Sequence, residues 1–253
     1  MHWKRLISIS FILAVLILTT SCSEKEFRLS ELAYNNCETE NLVYLYESKQ
    51  YVPYVVMYDN ASENTVLLLR KEALPLLMRY VPENKQGVEK YEDGSIDYFL
   101  CHKYVDSLSE IQDIIKRTDV IIPSKDPEDP EKTVWKTIKR KAFLLSAGEM
   151  WSDTTCMPPD TEPYRYFSEQ EHRVVNFDHV PSEWWLRTIC DDTSCWVVDE
   201  TGELKIKDSH AQCALRPVIC VNSQVMTYRR DKKSTNQYVL AARPYHTRFN
   251  NFD

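Results

Sequence analysis

The stretch SEWWLRTICDDTSCWVV, residues 182–198, decides how the chain is read. Within WWLRTI, Trp184, Leu186 and Thr188 point to one side of an extended backbone, and Trp185, Arg187 and Ile189 to the other. Large apolar groups on both sides imply a strand covered on both faces, so the two indoles read as core. Exposing them would leave an apolar patch of ~400 Å² that a soluble domain seldom tolerates without a partner. An arginine buried in such a strand needs a carboxylate, so Arg187 is expected to be paired, and Arg216 further on is assigned to the same structural network. The acidic turn Asp191, Asp192, Thr193 and Ser194 is then the exposed part and the candidate ligand-contact loop. Two adjacent carboxylates fall short of the roughly six to eight oxygens a calcium ion takes, so no metal is expected there.

Downstream, CWVVDETGELKIKD reads as a hairpin around Glu200–Glu203, with Gly202 able to take positive φ. CALRPVICV reads as a last strand beside WWLRTI, with Pro217 at a bulge or an edge. Upstream, NLVYLYESKQYVPYVVMYD gives a hairpin turning at Glu47–Gln50. NTVLLLRKEALPLLMRY begins as a buried strand, Val66 to Leu69, and is expected to turn helical near Lys71. Two more helices are expected at 96–104, with Ser95 as N-cap, and at 108–117, where Ser107 and Glu110 have capping-box spacing. IPSKDPEDPEKT reads as an exposed loop, and a buried strand follows from Ala142 to Leu145. Helical signals cluster before residue 120 and strand signals after 140. That segregation predicts an α+β domain at residues 41–222, a twisted, mainly antiparallel sheet with short helices packed on it. A polar tether at 22–40 precedes it, and a peripheral C-terminal extension at 223–253 follows.

The first residues address the chain to an envelope. His2, Lys4 and Arg5 precede an uncharged, largely apolar run from Leu6 to Leu18, followed by small residues and Cys22. This pattern is a secretory leader, 1–21, and the run is too short for a hydrocarbon layer that needs about 20 residues in a helix. Cys22 resembles the acceptor cysteine of bacterial lipoproteins, which implies a lipidated N-terminus, a membrane anchor and a bacterial envelope location. Two of the 31 basic side chains lie in the leader, so the mature chain carries 29 against 38 acidic ones, a net charge of −9. That balance argues against a nucleic-acid partner. Four glycines, with no GxGxxG or GxxxxGK, exclude Gly-rich phosphate cradles. The histidines are scattered, and no HExxH or GxSxG occurs, so the sequence predicts no catalytic residue, cofactor or metal.

The ordered segments YVPYVV, LLLRKEAL, YEDGSIDYFL, LSEIQDII, RKAFLLSAGEM, YF, EWWLRT and ALRPVICV resemble an uncharacterised bacterial domain family found on secreted and lipid-anchored proteins. The resemblance runs from Val43 to Val221. The chain departs from the family pattern at Thr188, Ile189 and Cys190, where a Ser-Pro-Gly turn is usual, and at Cys213, where a glycine is usual. The family's closing strands resemble those of C-type-lectin-like folds, formylglycine-generating enzymes among them. No catalytic set comes with the resemblance.

Export also makes disulfides permissible. One bridge is expected within Cys190, Cys195 and Cys213, the pairing left open; in an anaerobic host all stay buried thiols. Two functions follow as expectations. The first is a non-enzymatic module that binds an envelope glycan, peptide or protein. The alternative is an enzyme related to formylglycine generation, which needs a paired, accessible cysteine site.

Overall fold

The computed structural model describes residues 25–241, apart from 86, 88–89, 93, 127, 130–131 and 152–161. Cys22, its leader and residues 242–253 lie outside the described residues. In chain order the first strands are β1 (Glu26–Arg28), β2 (Leu42–Glu47), β3 (Gln50–Asn60), β4 (Thr65–Arg70) and β5 (Leu77–Arg79). After a helix come β6 (Ile115–Lys116), β7 (Thr118–Lys125), β8 (Thr133–Arg140), β9 (Ala142–Phe143), β10 (Asn176–Phe177) and β11 (Val180–Pro181). The last are β12 (Trp184–Ile189), β13 (Ser194–Val198), β14 (Leu204–Asp208), β15 (Gln212–Ala214), β16 (Val218–Asn222), β17 (Met226–Arg229) and β18 (Gln237–Leu240).

Nine strands form one sheet in the order β1-β17-β18-β2-β3-β4-β16-β6, with β9 also on β16; five form a second, β14-β13-β12-β15-β5. Most pairings are antiparallel, but β18 on β2 and β15 on β12 are parallel, so the sheets are mixed. Strands outweigh the few short helices, which makes this a β-rich member of the α+β class.

The hairpin β2–β3 forms as its alternation requires. Val43 and Leu45 are buried, and Glu47 pairs across the turn with Gln50. Its two central residues, Ser48 and Lys49, both take positive φ (48° and 73°), the geometry of a two-residue hairpin turn. Around Gly202 the second expected hairpin also closes. Its φ is +87°, and a β-carbon there would sit 2.8 Å from the Gln170 carbonyl oxygen.

The helix after β5 runs through Ser95–Tyr98, a π stretch at Phe99–Tyr104 and Val105–Ser107. Gly94, not Ser95, is its N-cap, because the Ser95 hydroxyl donates instead to the Tyr80 carbonyl (3.1 Å). No helix forms at 108–117. Leu108 leaves helical geometry at φ −90°, ψ 40°, and Ile115 is taken by β6, where it pairs with Val221. Nor does the chain turn helical at Lys71. The Arg70 guanidinium captures the carbonyls of Glu72 and Ala73, which diverts oxygens that a helix would have used. The proline-rich stretch at 122–133 is loop only at its tip, since β7 reaches Lys125 and β8 begins at Thr133. Only Ala142 and Phe143 of the strand expected to reach Leu145 are paired.

CALRPVICV is divided between the sheets. β15 pairs with β12 at a single position, Trp184 with Ala214, while β16 crosses to the larger sheet beside β4. Pro217 stands at the crossing, where its carbonyl accepts the Arg70 amide (3.0 Å). The segments expected as tether and extension also differ from their description. Phe27 packs against the core, Leu29 and Leu32 are buried, β1 joins the large sheet from the N-terminal segment, and β17 and β18 extend that sheet beyond residue 222. Apolar side chains spaced along an otherwise polar segment supply that burial.

Glu40 pins the N-terminal segment. Its carboxylate accepts Lys71 Nζ (2.7 Å) and the Tyr166 hydroxyl (2.6 Å), and the His172 ring stacks on Tyr166 at 4.1 Å. Among the described residues, no helix is long and apolar enough to cross a membrane.

Candidate functional site

Three buried arginines organise the molecule, each from a stretch that carries the family resemblance. Arg187, on β12, makes a bidentate pair with Glu149 (2.7 Å at each oxygen) and donates to the carbonyls of Leu144 (2.9 Å) and Ile121 (3.0 Å). Burial opposes the guanidinium charge, but Glu149 outweighs it and raises the Arg187 pKa. Ser146 and Glu149 cap one another. The Ser146 amide donates to the Glu149 carboxylate (2.9 Å), and the Ser146 hydroxyl accepts the Glu149 amide (3.3 Å). Thr188 Oγ1 accepts the Ala147 amide (2.9 Å), so WWLRT clamps the FLLSAGEM segment at several points. Trp184 and Trp185 are fully buried, and their indole nitrogens donate to the Arg173 and Met78 carbonyls. Arg187, Thr188, Trp184 and Trp185 are buried and Glu149 is 13 % exposed at its side chain, so this network braces the fold.

Arg70 and Arg216 act together at the surface of the large sheet. The Arg70 guanidinium bonds the buried Glu47 carboxylate, which also accepts the Tyr54 hydroxyl; Tyr54 and Tyr104 share a hydrogen bond of 2.5 Å. Among the described residues, no carboxylate forms an ion pair with Arg216. It donates to the carbonyls of Arg70 (3.1 Å) and His172 (2.8 Å) and lies over the Trp184 ring at 5.4 Å. Burial accordingly pulls its pKa down. By tying the backbone at Arg70 to that at His172, these two arginines fix the floor of a cleft of about 410 Å³.

One wall of the cleft is β3, with Tyr51 and Pro53; the floor is Arg70, Glu72 and Ala73; the other wall is the turn between β10 and β11, with Asn176, Asp178 and His179. Glu72 accepts the Asn176 amide (3.0 Å), and the Ala73 amide donates to the Asn176 carbonyl (3.0 Å), so floor and wall are joined. Asp178 and His179 both take positive φ, 51° and 65°. They are the two central residues of the β10–β11 hairpin, and positive φ at both is the geometry of a two-residue turn. The cleft offers an aromatic face, two carboxylates, an amide and an imidazole around a rigid, apolar-edged floor. Sequence reasoning missed it, because its walls lie about 120 residues apart and no motif marks their meeting. The only local signal is the Asp-His pair, which suits a turn with positive φ.

The candidate loop at 191–194 is largely occupied with itself. Asp191 accepts the Ser194 hydroxyl (2.6 Å) and both the amide and hydroxyl of Thr193 (2.8 and 2.9 Å). Those hydrogen bonds, the one from the Ser194 hydroxyl first, lower its carboxyl to about 2. Asp192 follows it in the same exposed turn. Among the described residues, no group of three or more His, Cys, Asp or Glu is placed to hold a metal.

The expected bridge within Cys190, Cys195 and Cys213 is absent, and all three are thiols. Cys195 opposes Ile189 in the β12–β13 ladder, so Cys190 lies one step beyond that pair, on the opposite side of the pleat. Cys213 is on β15, across β12 from β13, and two strand spacings, about 9.6 Å, exceed the reach of a disulfide. Burial raises the Cys213 thiol to about 11 and the Cys220 thiol to about 12, and raises Cys195 as well.

Fold and site together define a β-rich α+β domain in which buried arginines brace a surface cleft. The chain belongs to a domain family of unknown function (DUF6273), whose model matches residues 63–223. That span runs from the start of β4 to the end of β16 and takes in Arg70, Arg187 and Arg216, but leaves Tyr51 and Pro53 outside. No curated protein and no solved structure matches the chain.

Proposed function

We propose that this chain is a lipid-anchored cell-envelope protein, held on the membrane through Cys22 and facing the periplasm or exterior, that acts as a non-enzymatic binding module. Its ligand is a polymer of the envelope, a glycan before a peptide or protein, taken in the cleft between Tyr51 and the 176–179 turn. The observation that carries this reading is the braced cleft itself, with an aromatic side chain opposite hydrogen-bonding groups on a preorganised floor. Aromatic faces take the C–H face of a sugar, while carboxylates and amides take its hydroxyls. The basic start, short apolar run and small residues before Cys22 support the anchor. The lectin-like reading of the closing strands is part of the proposal and rests on the chain order of the WWLR and Arg-Pro motifs.

The thiol-oxidase alternative draws no support from three of the four cysteines it would call on. Cys195, Cys213 and Cys220 are buried in strands, and their raised pKa values keep them protonated at neutral pH.

Titration calorimetry of the full chain against uncharged cell-wall oligosaccharides tests the reading. Binding by the parent, weakened at least tenfold by Tyr51→Ala and by Asp178→Ala with folding retained, is the expected result. Equal binding by parent and variants, or steady conversion of the oligosaccharide into a product, overturns it.

A further inference from the structure

A second cleft, of about 260 Å³, lies where the π-containing helix faces the β7–β8 hairpin. Its chemistry is opposite to that of the molecule. The chain as a whole has a net charge of −7, yet Arg117, Lys139, Arg140 and Lys141 converge here. Two carboxylates oppose them. Asp97, itself buried, takes a bidentate pair from Arg140 (2.7 and 2.8 Å), and Asp119 takes Lys139 (2.7 Å). Four cations against two carboxylates leave a local charge of +2. Lys141 donates to the Gln112 carbonyl (3.1 Å), which uses one of its three protons. Arg117 is exposed at the rim.

Beside the cations lies a flat aromatic surface. Tyr98, one of the large side chains left exposed in this protein at 58 %, stacks on His102 with ring centroids 4.3 Å apart and planes 23° from parallel. His102 is held in turn through Nδ1, 2.9 Å from the Tyr98 carbonyl. The helix is in π geometry from Phe99 to Tyr104, a form rare in proteins and frequent at functional sites. Cys101 lines the same cleft, but burial and then Asp97 raise its thiol to about 12, so it offers no nucleophile.

We infer that this cleft binds a tetrahedral oxyanion carried on a sugar ring, a phosphate monoester or a sulfate ester. Arg117 and Lys141 supply the charge-assisted hydrogen bonds, Arg140 and Lys139 supply the field, and the Tyr98–His102 stack takes the sugar face. Guanidinium and ammonium groups match such oxygens in geometry and charge, and a concave site of one sign focuses the field on its ligand. A carboxylate is the poorer fit, because it presents two oxygens in one plane where these esters present three around a tetrahedral centre. The same chemistry is met on a soluble phosphorylated glycan and on the headgroup of a phosphorylated glycolipid. This inference does not rest on the Arg70 cleft.

The test is a titration of the full chain, by calorimetry, with a hexose phosphate, a hexose sulfate, the uncharged hexose and inorganic phosphate. Both esters should bind, more weakly as salt rises, with the uncharged hexose at least tenfold weaker. The double variant Arg117→Gln/Lys141→Gln should weaken both esters at least tenfold, and Tyr98→Ala should weaken them while leaving inorganic phosphate unchanged. Tyr51→Ala should leave all of this intact, which separates this site from the cleft proposed above. Cosedimentation with neutral vesicles containing or lacking a phosphorylated glycolipid separates the sources; capture that free hexose phosphate reverses assigns the lipid headgroup, and its lack assigns the soluble glycan. Esters that bind no better than the uncharged hexose, or a folded double variant that binds like the parent, overturn the proposal. Inorganic phosphate binding as tightly as the hexose phosphate overturns the sugar part of it.

Discussion

At the scale of single residues, the two indoles of WWLRTI carry the largest share of one strand's burial. Trp185 is fully buried, sits edge-on to Tyr80 with centroids 5.5 Å apart, and donates its ring N–H to the Met78 carbonyl (2.7 Å). Trp185→Ala therefore removes a buried aromatic, opens a cavity and removes a hydrogen bond to the Met78 carbonyl. We expect a loss of about 3–5 kcal/mol, measured as a shift in urea unfolding at unchanged slope. The burial and pairing of these residues could be read from the chain, because six residues with apolar bulk on both sides leave one packing solution. The partner of Arg187 could not. Glu149 lies 38 residues away, inside a short capping turn, and nothing local marks it as the carboxylate that β12 needs.

At the scale of elements, the hairpins and the helix at 96–104 were legible, and the helices expected near Lys71 and at 108–117 were not. The β2–β3 turn is closed by Ser48 and Lys49, both in the left-handed region that favours glycine. The Ser48 amide is anchored on the Ser107 carbonyl (3.1 Å), which helps to hold that conformation. Lys49→Gly relieves the steric cost at one residue and should raise stability by about 1 kcal/mol, read as a higher thermal midpoint. The opposite outcome, a loss, would show that contacts of the lysine stem outweigh the backbone strain. Residues 108–117 have the capping box and apolar spacing of a helix. They turn instead because Ile115 gains more as a rung beside Val221 than as one face of an isolated helical turn. Residues 71–76 show the same override, with a side chain, Arg70, competing for the carbonyls.

At the scale of the whole molecule, Glu40 joins the N-terminal segment to two regions distant in sequence, through Lys71 and through Tyr166 with its stacked His172. Burial raises the Glu40 pKa, but the hydrogen bonds from Lys71 and Tyr166 outweigh it, so the folded-state value lies below the ordinary 4.5. A depressed carboxylate stabilises the fold above its unfolded pKa, and that contribution is lost as pH falls through the folded value. Glu40→Gln should therefore lower stability at pH 7 and flatten the acid limb below about pH 4.5 relative to the parent, as followed by thermal unfolding at a series of pH values. A parallel acid limb in parent and variant would place the acid sensitivity elsewhere.

The chain by itself determined the covered strand at 184–189, the two hairpins and the family, because alternation, turn chemistry and ordered motifs are local properties. Only the tertiary structure decided which sheet each half of CALRPVICV joins, that 26–28, 226–229 and 237–240 are strands of the large sheet, and that the described cysteines are thiols. It also decided both clefts. Each is assembled from elements far apart in sequence, the Arg70 cleft from β3 and the 176–179 turn, and the basic one from a helix and the hairpin behind it. Side-chain alternation says which face of a strand is buried, but not which strand it meets. That choice belongs to the packing of the whole core, where long-range apolar contacts outweigh local preference.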